Sequence, residues 1–291
     1  MKKILVPVDF SGHTDISCRY ALEFGKVTGA EIKFFHTYFD QIIIADTSFP
    51  DTLDMSTLYN EELMKEISKQ ASQNMAELEE KVNNIIKKEN LENIVTSIIV
   101  CGGELEHELK GICDDFHPDL VIMGTTGKGN NLNVWGKVSS FIIDHARGPV
   151  ITVPEIKSYH GFNQVMFTAD LSEGNAATIA GIMDLLSQFP VKIHVVHFIT
   201  GSKQNDAYLR MKMLQMKFGK EEKTDTIKFE VIEVSEENQV AIDQFVAANH
   251  IDMIAFQPHK HNALYMFFTK NITRKNLYAA KVPLLSVPAF A

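Results

Sequence analysis

Residues 123–140, MGTTGKGNNLNVWGKVSS, put four glycines, two lysines and four hydroxyls into one connection between two apolar runs. Glycines let backbone N–H groups approach an anion with no Cβ in the way. A helix start behind them adds the positive end of its dipole. The chemistry this points to is phosphate binding. Gly124 and Gly127 form the cradle, a helix starting near Val138 backs it, and Lys128 and Lys137 add charge. It is not a P-loop: GxxxxGK[ST] would need glycine at 131, where Asn131 stands, and Val138 follows Lys137. A plain strand-to-helix turn is the alternative reading of the same residues.

Two further groups sit at the ends of apolar runs, Asp9 after residues 3–8 and His36-Thr37 after residues 31–35. In an open α/β sheet, ligands bind beyond the carboxyl ends of the strands, where the strand order reverses. Other polar residues carry blander readings. His36 and His197 read as satisfied core histidines, His259-Lys260-His261 as an exposed loop, and Trp135 as packing of its own loop. Asn271-Ile272-Thr273 matches a glycosylation sequon without a leader to give it meaning. No Ser-His-Asp, Cys-His or paired-carboxylate set suggests a nucleophile or an acid–base pair, so an enzyme is the less favoured reading.

The elements that must position these residues repeat. KILVPVDFS (3–11) matches QVMFTADLS (164–172), with Asp9 to Asp170 at an offset of 161. IKFFH (32–36) matches IHVVH (193–197) at the same offset. HPDLVIMGTTG (117–127) matches HIDMIAFQPHK (250–260) at 133, and GPVITVP (148–154) matches KVPLLSVP at 134 for Pro149 and Pro283. The fall from 161 to 133 leaves 28 extra residues in the first half, within 40–90. Residues 41–60 read as irregular, and 61–89 as a long amphipathic helix with Leu63, Ile67, Ala71, Met75, Leu78, Val82, Ile85 and Ile86 as its stripe.

Short, nearly continuous apolar strands at 3–8, 31–37, 94–100, 119–124 and 150–153 alternate with helices at 14–28 and 104–116. Ile16, Tyr20, Ala21, Phe24 and Val27 form the expected inner face of the first helix. Strands of this kind are buried on both faces by helices. The expected fold is α/β: two tandem doubly wound, Rossmann-like domains, 1–154 and 155–291, each a mostly parallel five-stranded sheet between helices. Met211, Met213 and Met216 read as core or interface filler.

At 45% hydrophobic and 22% charged, the composition is that of a globular protein. The net charge of −9 lies wholly in residues 1–154, with 14 basic against 23 acidic; residues 155–291 carry 14 of each. Neither half is basic, which argues against nucleic acid. No run reaches the apolar length of a membrane span. Cys18, Cys101 and Cys113 read as buried free thiols in a reducing cytoplasm.

The opening ILVPVDFS, the strand end FFHTY, HPDLVIMGTTG and the closing GPVITVP together resemble the universal stress protein family, as a tandem two-domain member with the adenine nucleotide alpha hydrolase-like fold. Its nucleotide-binding members carry G-x2-G-x9-G-[ST]. Here Gly124-Thr125-Thr126-Gly127 supplies the first part, but eight residues separate Gly127 from Gly136, and Lys137 stands in place of the hydroxyl. The resemblance implies that Pro7, Val8 and Asp9 hold the adenine and ribose end and that Thr37 sits beside the base. It also implies that Met123, Gly124, Thr126 and Gly127 frame ribose and phosphates, with Gly136, Lys137, Val138 and Ser139 closing over them. The implied ligand is ATP or another adenine nucleotide, with Mg alongside ATP. Gln257, Lys260 and Lys270 replace the corresponding glycines of the second half, which is expected not to bind. The implied assembly is an intramolecular pseudo-dimer paired through 150–153 and 284–287, with a homodimer of chains left open, and protein partners unknown. The other readings are a nucleotide-independent interaction module working through 40–90, and a slow ATPase.

Overall fold

The structure is a computed structural model that describes residues 2–38, 53–125, 139, 141–143, 146, 148–156, 158–159, 161–199, 204–234, 238–258 and 281–288. The chain divides into two compact units, one of residues 1–10 and 21–119, the other of 11–20 and 120–291. Helix α1 (Gly12–Thr28) belongs to both.

The first unit holds β1 (Lys3–Pro7), β2 (Glu31–Tyr38) and β3 (Val95–Gly102), all parallel, in the order β3-β2-β1. Ile4, Leu5 and Val6 of β1 are fully buried, as the continuous apolar run requires. β3 is half-exposed along its length. Helix α2 (Leu53–Glu89) lies on β2 and β3 and buries Ala71, Met75, Leu78 and Val82. Helix α3 (Leu105–Phe116) buries Leu109, Ile112 and Phe116 and stops at His117, whose φ of 52° turns the chain.

Two expectations change here. Residues 53–60, expected to be irregular, begin α2, because no glycine or proline interrupts the 37 residues from Leu53 to Glu89. Val27 and Leu63 are exposed, so the inner stripes of α1 and α2 are shorter than the apolar spacing implies.

The second unit holds β4 (Leu120–Gly124), β5 (Val150–Val153), β6 (Gln164–Thr168), β7 (Lys192–Ile199), β8 (Ile227–Glu233), β9 (Met253–Phe256) and β10 (Leu284–Ser286). Their order is β4-β5-β10-β9-β6-β7-β8. Every pairing is parallel except β5 with β10, where Leu284, Leu285 and Ser286 face Thr152, Ile151 and Val150. Helices α4 (Asn175–Leu185), α5 (Gln204–Gln215), α6 (Gly219–Lys223) and α7 (Asn238–Ala248) belong to the same unit, with a short 3₁₀ turn at Met216–Phe218. The connections run from β6 outward to β7 and β8, then return to β9 and β10. This is the doubly wound arrangement, with its switch point between β6 and β9.

Bonds at the starts of β1 and β6 recur at the offsets found in the sequence. Asp119 accepts from Lys3 N at 2.7 Å and donates its own N–H to Lys3 O at 2.8 Å. Asp252 does the same with Gln164, at 2.9 and 2.8 Å. Among the described residues, no helix is long and apolar enough to cross a membrane. None of the three cysteines forms a disulfide, and only Cys18 is buried; Cys101 and Cys113, expected to be buried too, are half-buried.

Candidate functional site

In the first unit, the implied adenine-side residues stand at the carboxyl ends of β1 and β2. Pro7 ends β1 opposite Phe35, and Val8 N donates to Phe35 O at 2.8 Å. His36 Nδ1 donates to Val8 O at 2.7 Å, so the ring holds the turn that carries Asp9. Phe10, next along, has φ of 55°, and its ring lies 4.5 Å from that of His36. A bulky residue in that region costs roughly 1–3 kcal/mol and persists only where its surroundings hold it. Thr37 pairs with Cys101 near the end of β2.

In the second unit, Met123 and Gly124 end β4, paired with Thr152 and Val153 of β5. Thr125 follows, with its N–H on Val153 O at 3.0 Å and its carbonyl accepting from Ser139 Oγ at 2.7 Å. Ser139 is buried, and the proton of its hydroxyl goes to that carbonyl. Its side chain ties residue 139 to the residue that follows β4. Thr125 is also buried, and its Oγ1 has no hydrogen-bond partner among the described residues. Thr126, Gly127, Gly136, Lys137 and Val138 lie outside the described residues, as do Trp135, residues 40–52, and His259 to His261.

The counterpart of Gly124 behaves differently. At the end of β9 stands Gln257, only 8% exposed. Its Oε1 accepts from Thr178 Oγ1 at 2.9 Å and from Asn175 Nδ2 at 3.4 Å. Asn175 Nδ2 also donates to Asp170 Oδ1 at 2.7 Å, and Asp170 Oδ1 accepts from Ser172 N at 2.9 Å. Asn175 Oδ1 accepts from Leu171 N at 2.8 Å, and Leu171 has φ of 60°, as Phe10 has 55°. His197 Nδ1 donates to Ala169 O at 2.7 Å, repeating His36 and Val8. The switch point of the second half is thus filled by the protein's own amide. Gln257 Nε2 also lies 2.9 Å from where a Cβ on Gly174 would be, so the residue there has to be small.

The profile of the Universal stress protein family matches residues 1–154, more than half of the chain. The chain belongs to the universal stress protein family. It is 30% identical over 158 residues to Universal stress protein MJ0577 of Methanocaldococcus jannaschii, a match covering 52% of this chain and 94% of that one. Its fold is like that of a universal stress protein from Archaeoglobus fulgidus, with a TM-score of 0.67 and 17% identity over 99% of this chain and 96% of that one. It is also like a protein of unknown function from Pseudomonas aeruginosa, with a TM-score of 0.63 and 11% identity over 99% and 93%.

Three features of this universal stress protein were not legible in its sequence. The left-handed Phe10 and Leu171 carry no local signal, since neither is glycine or asparagine. The engagement of Gln257 with Asn175 and Thr178 is visible only as paired changes at the repeat offsets, Gly124 to Gln257, Thr14 to Asn175 and Ser17 to Thr178. The bond from Ser139 to Thr125 has no motif at all.

Proposed function

We propose that this universal stress protein is a cytoplasmic stress-response module of two domains, 1–154 and 155–291, whose first domain binds ATP or a related adenine nucleotide. It acts by changing shape or partners rather than by turnover. The contacts are those the family resemblance implies. Pro7, Val8, Asp9 and Thr37 serve the adenosine end. Met123, Gly124, Thr126, Gly127, Gly136, Lys137, Val138 and Ser139 serve ribose and phosphates, with Mg carried by the phosphates of ATP.

The observation that carries this reading is the contrast between equivalent strand ends. Gly124 presents backbone only, whereas Gln257 fills its own position with a buried amide. The buried Thr125 hydroxyl, without a partner among the described residues, adds a polar atom at the start of the cradle. A ligand read by backbone groups and hydroxyls suits such residues.

The test is to denature the purified protein, identify released nucleotide by mass spectrometry, and titrate the stripped protein with ATP and Mg. Binding that is abolished by Gly127→Val and by Gly124→Gln is the expected result. Absence of binding at millimolar ATP, or binding indifferent to both substitutions, would overturn the assignment.

A further inference from the structure

Helix α5, together with the 3₁₀ turn at Met216–Phe218 that continues it, is apolar on two sides. Ala207, Met211, Leu214 and Phe218, at i, i+4, i+7 and i+11, are buried, and the helix lies on β7 and β8. That anchorage fixes what the other side shows. Leu209, Met213 and Met216, again at i, i+4 and i+7, are 60, 61 and 76% exposed. An anchored helix has no packing need for a second stripe, and adjoining large apolar side chains at a surface mark an interaction site. At 3.6 residues per turn, Lys212 falls to one side of this stripe and Arg210 and Lys217 to the other. Arg210 is paired with Asp206 at 3.0 Å, while the ammonium groups of Lys212 and Lys217 have no ion pair or hydrogen bond among the described residues. Residues 206–223 hold Arg210, Lys212, Lys217, Lys220 and Lys223 against Asp206, Glu221 and Glu222, an excess of two positive charges within a half of the chain that is neutral.

We propose that this face docks an acidic amphipathic helix of another protein. The apolar stripe of the partner covers Leu209, Met213 and Met216, and its flanking carboxylates meet Lys212 and Lys217. Two flexible thioethers suit a surface that must adapt to a partner's side chains, and helix-on-helix docking is read through anchors at this spacing. A second copy of the chain is disfavoured by charge, because antiparallel pairing about Met213 would bring Lys212 against its own twin. A lipid surface is disfavoured by size and composition, since the stripe is three side chains long and holds no tryptophan or phenylalanine. This reading stands apart from nucleotide binding.

The experiment uses the full chain and a fluorescent 18-residue peptide with leucine at heptad positions a and d and glutamate at e and g. A second peptide carries lysine in place of glutamate. The glutamate peptide is expected to bind in a salt-sensitive way, and the lysine peptide at least about tenfold more weakly. Met213→Asp, at an exposed position, should weaken the glutamate peptide about tenfold while leaving the circular dichroism unchanged. The double variant Lys212→Glu, Lys217→Glu should reverse the preference. No binding, equal binding of both peptides, or indifference to Met213→Asp would overturn the proposal. So would Met213-dependent sedimentation with phosphatidylglycerol vesicles in place of peptide binding, or a dimer of the chain that Met213→Asp disperses.

Discussion

Gln257 and Gly124 differ by one side chain, and that side chain decides what each strand end can do. Removing the amide by Gln257→Ala takes from Thr178 and Asn175 one acceptor each in a buried place, leaving Thr178 the Gly174 carbonyl at 3.2 Å and Asn175 the Asp170 carboxylate at 2.7 Å. That should cost roughly 0.5–1.5 kcal/mol, read from urea unfolding with an unchanged slope. The histidines supply a pH prediction. Burial holds His197 below the ordinary histidine range, against the opposing pull of the Ala169 carbonyl and of Asp170. Burial also lowers His194, although Glu230 pulls upward, with Lys192 and Lys228 adding to the downward shift. For both, the unfolded chain binds the proton more readily. Their contribution is therefore fully present above the unfolded value near 6.5 and is lost as pH falls below it. The melting temperature should drop between about pH 7 and 5, and a His194→Gln, His197→Gln double variant should flatten that dependence. An identical slope in the variant would contradict the assignment. At this scale, the likeness of His36 to His197 was legible because both end matched apolar runs. Their shared bond to the turn after the neighbouring strand was not, because the carbonyl they reach lies 28 residues off in the chain.

Helices α2 and α5 show how far periodicity carries. The stripe of α2 was legible from Ala71 to Val82, where it meets β2 and β3, and failed at Leu63, which is exposed. Met75 is fully buried in the middle of that contact. Met75→Ala should cost about 2–5 kcal/mol, whereas Leu63→Ala should stay within about 0.5 kcal/mol; parallel urea titrations distinguish them. For α5, the sequence shows methionines at 211, 213 and 216 without saying which face the sheet. Met211 is buried and the other two are not, because β7 and β8 cover a single side of the helix. A periodic pattern names a face only when one face is apolar. With two, the sheet chooses.

At the scale of the whole molecule, β5 and β10 run antiparallel between otherwise parallel neighbours, so the strands formed by the matched segments 148–154 and 281–288 lie side by side. A fragment of residues 1–154 would lose β10 and expose the backbone edge of β5. Unpaired edges of this kind recruit a second chain. The fragment should therefore elute as a dimer, and Thr152→Pro, which removes an N–H on that edge, should make it monomeric; a monomer of the unmodified fragment would contradict the expectation. What the sequence determined by itself is what local energetics encode. Apolar strands between helices, and Asp and Gly at strand ends, carried the α/β fold and the family. What only the tertiary structure decided is which distant groups meet. Gln257 finds Thr178 and Asn175 across 79 and 82 residues, the Ser139 hydroxyl donates to the Thr125 carbonyl, and β10 chooses β5. Periodicity fixes which way a residue faces within its own element. The partner on the other side is set by chain closure and packing, and those energies appear only once the elements have come together.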